Sequence, residues 1–197
     1  MTKTDPIRIL MIEDHHEEAE LVRSMLSAVR SFSFRFFHET CFSAGIEWLK
    51  QAKTPQNLAG AQANSWNEEP SDSNRRSQID DRIANRIEYP VDVILLDLFL
   101  PDSAGLASFT RLNQLFPNVP VILLTNLDDE AVALQAVREG AQDYLVKTEL
   151  DPNLLSRAIR YAIERKRVEE SLRESEERYM LASQGANDGL WDWQLKT

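Results

Sequence analysis

Three acids, one hydroxyl and one amine stand where short apolar runs end in this chain. Ile7-Arg8-Ile9-Leu10-Met11-Ile12 runs into Glu13-Asp14, and Val91-Asp92-Val93-Ile94-Leu95-Leu96 runs into Asp97. Val119-Pro120-Val121-Ile122-Leu123-Leu124 ends at Thr125, and Tyr144-Leu145-Val146 ends at Lys147. A carboxylate at the tip of a buried strand is costly unless it has a partner or a task. In open α/β sheets, ligands and chemistry collect at the C-terminal edge of the strands. Asp97 alone supports two readings, a reactive or metal-binding carboxylate and a turn or helix-capping one. Five such groups on one edge favour the first. Three carboxylates pushed together repel unless a cation sits among them, and all-oxygen ligands suit Mg2+ or Mn2+. Lys147 and Thr125 offer a positive charge and a hydrogen bond to phosphoryl oxygens. Phosphoryl transfer needs little beyond positioning and charge neutralisation around an in-line nucleophile. Asp97 can be that nucleophile, forming an acyl phosphate.

The elements that must position these groups are legible in the apolar periodicity. After the first strand, Ala19, Val22, Met25, Leu26 and Val29 recur at helical spacing, with Glu17, Glu18 and Glu20 in the first turn, where the helix dipole favours negative charge. Phe32 to Phe37 reads as a second strand and Phe42 to Lys53 as a second helix. Later come a strand over Val91–Leu96, a helix over Ala104–Phe116 and a strand over Val119–Leu124. A helix over Asp129–Glu139 follows, with Gly140 at its C-cap, then a short strand at Tyr144–Val146 and a helix from Pro152. Strand and helix alternate five times, the pattern of a doubly wound α/β fold with a parallel five-stranded sheet. Residues 54–89 break this rhythm. They are rich in Asn, Ser, Glu and Pro, and read as a surface insertion holding at most one short amphipathic helix over Gln78–Glu88.

The composition narrows the field. The 197 residues are 43% hydrophobic and carry a net charge of −10, most of it before residue 150. An acidic body argues against direct nucleic-acid binding. No apolar run approaches the roughly 18 residues of a membrane span, and the N-terminus turns acidic where a signal peptide would need its cleavage site. With a single cysteine, Cys41, no intrachain disulfide forms. A cytoplasmic protein is expected.

The pieces ILMIEDHHEEAELV, VILLDLFLPDSAGL, VPVILLTN and GAQDYLVK together resemble the receiver domain of bacterial two-component response regulators. The likeness covers residues 7–165 apart from the insertion. It implies a flavodoxin-like sheet of order 2-1-3-4-5 over residues 1–150 and roles for individual residues. Asp97 would accept the phosphoryl group from a sensor histidine kinase or a phosphotransfer protein. Asp14 would bind Mg2+ directly and Glu13 largely through water, with Asp97 and the Phe99 carbonyl as further ligands. Lys147 would pair with the phosphoryl group, Thr125 would swing to hydrogen-bond it, and Tyr144 would rotate after Thr125. Two positions depart from the usual pattern: Asn126 stands where a small residue is common, and Thr148 where a proline favours a cis bond. Phe99 and Leu127 are apolar neighbours of the site and predict a slowly hydrolysing phosphoryl group. A haloacid-dehalogenase-type phosphatase would also use an Asp nucleophile with Mg2+. It normally carries an acid/base Asp two residues on, where this chain has Phe99, so turnover of external substrates is not expected. A pseudo-receiver scaffold would dispense with some of the five signature residues, and all five are present.

The last helix runs past the point where such a domain ends. From Asn153 to Gln184 there is no Gly or Pro, and Leu154, Ala158, Tyr161, Arg165, Val168, Leu172, Ser175, Tyr179 and Ala182 step by four and three. That spacing predicts a signalling coiled coil over residues 151–184 and a homodimer through it. Residues 185–197, with Trp191 and Trp193, resemble the opening strand of a PAS sensory domain. The likeness implies a larger multidomain regulator, with an output such as a diguanylate cyclase or a histidine kinase beyond residue 197.

Overall fold

The computed structural model describes residues 5–51, 90–126 and 129–185. The expected helix at Gln78–Glu88, the rest of the insertion, Leu127 and the PAS-like segment lie outside them. Five strands form one parallel sheet: β1 (Ile7–Ile12), β2 (Phe34–Glu39), β3 (Val93–Asp97), β4 (Val121–Thr125) and β5 (Asp143–Val146). Their order across the sheet is 2-1-3-4-5. The helices between them are α1 (His16–Ala28), α2 (Phe42–Gln51), α3 (Leu106–Leu115), α4 (Glu130–Arg138) and α5 (Pro152–Gly185). The fold is thus the expected flavodoxin-like α/β arrangement with an extended C-terminal helix. Three strands begin two residues later than expected: β2 at Phe34 rather than Phe32, β3 at Val93 rather than Val91, and β4 at Val121 rather than Val119. Phe32 is buried among α1 and α5 residues, and pairing starts only where Ile7 meets Phe34.

The strands sort their side chains by parity, as a pleated strand must. Leu10, Ile12, Ile94, Leu96, Val121 and Leu123 join Phe42, Ile46, Phe109, Leu112 and Ala133 on the face covered by α2, α3 and α4. Ile9, Met11, Val93, Leu95, Ile122, Leu124 and Leu145 join Val22, Leu26, Leu155 and Ile159 on the face covered by α1 and α5. Because both faces are covered, the central strands read as continuous apolar runs, and β3 and β4 are buried throughout. The same parity sorts the chemical groups. Glu13, Asp97 and Lys147 each follow their strand's α1/α5-facing residues by two positions. Thr125 and Tyr144 follow the other phase, and Tyr144 packs against the α2–α4 core.

Two loops carry caps absent from the sequence reading. Asp151 Oδ1 accepts the backbone N–H of Asn153 at 2.8 Å and of Leu154 at 3.0 Å, starting α5 just before Pro152. Asp102, in the loop after β3, caps a helix 60 residues away. Its Oδ1 accepts the Phe42 N–H and its Oδ2 the Ser43 N–H, both at 2.8 Å. Burial nudges the Asp102 carboxyl upward, but the hydrogen bonds from Ser43 and Phe42 prevail and hold it below its ordinary value. Gly140 takes a φ of 113°, the backbone conformation that ends α4 and turns the chain into β5.

Replacing Asp102 by alanine removes a cap that ties the β3 loop to α2. It should cost about 1 kcal/mol, typical of an N-cap, and lower Tm by about 2–4 °C for a chain of this size. A scanning calorimetry trace unchanged by Asp102→Ala would show that the cap contributes nothing.

Candidate functional site

The site lies at the C-terminal edge of the sheet and is organised around Lys147. Asp97 is only 4% exposed and Glu13 is fully buried. Lys147, which begins a single 3-10 turn after β5, reaches three carboxylates. Its Nζ lies 2.7 Å from Glu13 Oε2, 2.5 Å from Glu18 Oε2 and 3.3 Å from Asp97 Oδ2. Burial raises the pKa of Asp97, and Lys147 only partly offsets this; the same holds for Glu13, where Asp97 adds repulsion. Burial works against the charge on Lys147, but hydrogen bonds to Glu13 and Glu18 and the nearby Asp97 outweigh it and push its pKa up. An ammonium in this position is pinned in the charged form.

The remaining oxygens face away from Lys147. Asp97 Oδ1 accepts the Phe99 N–H at 3.4 Å, a long contact. Phe99 itself is substantially exposed and sits in a two-residue antiparallel pairing with Ala104. Glu13 Oε1 accepts the His15 N–H at 3.2 Å, and the Glu13 carbonyl accepts from His38 Nε2 at 2.7 Å. Asp14 Oδ1 is buried and takes no hydrogen bond among the described residues. His15 Nδ1 lies 3.0 Å from it. A buried carboxylate oxygen in that state fits a cation as its missing partner. The hard oxygen donors of Glu13, Asp14 and Asp97 suit Mg2+ or Mn2+.

Thr125 is buried at the tip of β4, one position past the Asp97–Leu124 pair, and its hydroxyl donates to the Asn126 carbonyl at 3.1 Å. Tyr144 is half-buried, one strand over, in register with Leu123. Asn126 is exposed beside the site. The Lys147–Thr148 bond is trans, as is every described peptide bond. Sequence reading put Glu13, Asp14, Asp97, Thr125 and Lys147 at one sheet edge, and the structure brings Glu13 and Asp97 into contact with Lys147 there. It missed Glu18 and His15. Glu18 read as one of several first-turn acids stabilising α1, and only the fold shows that it alone of these reaches Lys147.

A sequence profile described as the response regulator receiver domain matches residues 77–160, which include Asp97, Thr125, Tyr144 and Lys147. This stretch is similar to the response regulator receiver domain. The stretch holding Glu13 and Asp14 precedes the profile match and is joined to it through the β1–β3 pairing. Among curated relatives, the oxygen regulatory protein NreC of Staphylococcus aureus is 36% identical over 70 residues, which is 35% of this chain and 32% of that protein. The match thus spans about a third of the length of that relative. The chain also shares its fold with solved structures. One is a response regulator receiver domain protein from Clostridium thermocellum, with a TM-score of 0.56, 20% identity, and coverage of 82% of this chain and 98% of that one. Another is the signal receiver domain of an HD domain-containing protein from Pseudomonas fluorescens Pf-5. It has a TM-score of 0.57, 20% identity, and coverage of 87% and 96%.

Removing the shared cation should be severe. Lys147→Met leaves buried carboxylates uncompensated and should cost about 3–5 kcal/mol near neutral pH. The wild-type contribution of Lys147 is fully present below its ordinary pKa of 10.5 and is lost as pH rises through its raised value. In the variant the raised Glu13 and Asp97 make the folded state bind more protons than the unfolded one. Its stability should therefore recover as pH falls from neutral toward the ordinary carboxyl values of 4.5 and 3.8. Urea unfolding midpoints across this range test it, and a variant as stable as wild type near neutral pH would refute the central role of Lys147.

Proposed function

We propose that the domain is a phosphoacceptor switch of a two-component phosphorelay, with Asp97 as the acceptor. The observation that carries this is a buried Asp97 sharing one lysine with Glu13 at the C-terminal edge of a five-stranded parallel sheet. Glu13, Asp14, Asp97 and the Phe99 carbonyl would hold Mg2+ or Mn2+. When bound, such an ion neutralises the charge that builds on phosphoryl oxygens. Asp97 attacks phosphorus in line, a sensor histidine kinase or phosphotransfer protein supplying the phosphoryl group, and the donor leaves from the opposite side. Lys147 pairs with the incoming oxygens, which requires it to loosen its hold on Glu18 or Glu13. Thr125 turns from the Asn126 carbonyl toward the phosphoryl group, and Tyr144, on the same face of the sheet, follows. Phe99, two residues past Asp97, shields the acyl phosphate from water, so it hydrolyses slowly and the protein does not turn over external substrates.

The test is incorporation from radiolabelled acetyl phosphate with Mg2+. Wild type should take up one label per chain, stable over time far longer than seconds, and Asp97→Asn should take up none. Labelling that survives in Asp97→Asn would refute Asp97 as the acceptor.

The switch would be read through α5 as a homodimer. The 34 residues of α5 span about 50 Å at 1.5 Å per residue, and only the first third packs on the sheet, through Leu155, Ile159 and Ile163. Beyond it Val168, Leu172 and Tyr179 stand 61%, 61% and 62% exposed on one seam. Residues 1–150 would be the receiver, 151–184 the pairing helix and 185–197 the junction to an output module. Cysteine introduced at Leu172, with Cys41→Ser, should form an interchain disulfide. Its yield should change when beryllofluoride occupies Asp97, and a monomeric Leu172→Cys chain at high concentration would contradict the dimer.

A further inference from the structure

We infer that His15 adds a nitrogen ligand to the Glu13–Asp14 metal site and shifts its preference from Mg2+ toward a borderline transition-metal dication such as Co2+. This rests on the reading that Glu13 and Asp14 hold a divalent cation. One ligand atom from each of Glu13, Asp14 and His15 lies within 4.8 Å of the others. His15 Nδ1 is 3.0 Å from Asp14 Oδ1 and 3.4 Å from Glu13 Oε1. Two donors each about 2.1 Å from one ion lie about 3.0 Å apart in octahedral geometry and about 3.4 Å apart in tetrahedral geometry. Both His15 spacings fall in the range that ligands of one ion span, and the third pair lies within 4.8 Å.

The groups around this trio are disposed to serve it. Glu13 divides its work, giving Oε2 to Lys147 and turning Oε1 toward His15. Asp14 Oδ1 takes no hydrogen bond among the described residues. His15 immediately precedes α1 in extended backbone and its ring makes no cap hydrogen bond. The ring is mostly exposed, so little packing opposes a small rotation onto an ion. His38 Nε2 donates to the Glu13 carbonyl and so braces the backbone of the first ligand, as outer-shell partners of metal sites do. His16 lies against His38, with ring centroids 5.8 Å apart, so all three histidines of the chain stand at this edge. The bland role for His15 is an ion pair with Asp14 as the imidazolium, which uses the same atom and leaves ion preference untouched. Imidazole is a poor ligand for Mg2+ and a good one for later first-row metals, so the two roles separate by ion.

The test uses the full chain with metal alone and no phosphodonor, at mildly alkaline pH where imidazole is neutral. Bound Mn2+ is followed by electron paramagnetic resonance and displaced with Co2+ or Mg2+. Loss of even an outer-shell partner commonly lowers metal affinity about 10–100-fold. His15→Ala should therefore weaken Co2+ at least about tenfold while Mg2+ changes less than about twofold. Pulsed measurements should show nitrogen coupling to Mn2+ in wild type that disappears in His15→Ala. Unchanged Co2+ affinity in His15→Ala, or coupling that persists in it, overturns the inference. Asp14→Asn separates the two failures. If it abolishes binding while His15→Ala does nothing, the metal site stands and the nitrogen ligand falls. If wild type binds no ion, both fall.

Discussion

One ammonium group in contact with three carboxylates is the interaction on which this edge of the molecule depends. Lys147 touches Glu13 and Glu18, which lie close together in sequence, and Asp97 from a distant stretch of chain. Without it, Glu13 and Asp97 would face each other buried and charged, an arrangement that costs several kcal/mol per ion in a low-dielectric interior. The parity of the strands makes the meeting possible. Glu13, Asp97 and Lys147 continue the α1/α5-facing phase of β1, β3 and β5, so the sheet delivers all three to one side of its edge. The first turn of α1 then brings Glu18 over the top.

That arrangement also makes a poised site. Lys147 is nearer to Glu13 and Glu18 than to Asp97, so the lysine is shared among several partners. A phosphoryl group on Asp97 would compete for the same ammonium and release one of the others. Thr125 and Tyr144 continue the opposite phase of the sheet, and Tyr144 packs against the α2–α4 core, so a change at Thr125 would reach a face different from the one that holds the acids. Two discrete arrangements of packed elements, biased by one local charge, are the physical form of a switch. The long α5 starts from the acid-bearing face, capped by Asp151 four residues after Lys147.

Much of this was legible in the sequence, for identifiable reasons. Buried parallel strands are near-continuous apolar runs, so β1, β3 and β4 announced themselves, and the polar residues that end them make up the candidate site. Strand ends were less legible. Phe32 has the side chain of a strand residue but serves the core ahead of β2, since pairing there is fixed by where Ile7 lies rather than by composition. Asp102 and Glu18 were not legible as partners because their contacts span 60 and 129 residues, and nothing local distinguishes a long-range cap or ion pair from a solvated acid. His15 read as one polar residue before a helix, and only the three-dimensional spacing of its ring nitrogen from two carboxylates gave it another meaning.

The most direct measurement is a carboxyl 13C NMR titration of Asp97 and Glu13 in the metal-free chain. If burial and sharing of Lys147 govern the site, both carboxyls titrate above their ordinary values of 3.8 and 4.5, and saturating Mg2+ moves both transitions downward. Carboxyls that titrate at ordinary values and ignore Mg2+ would contradict the account.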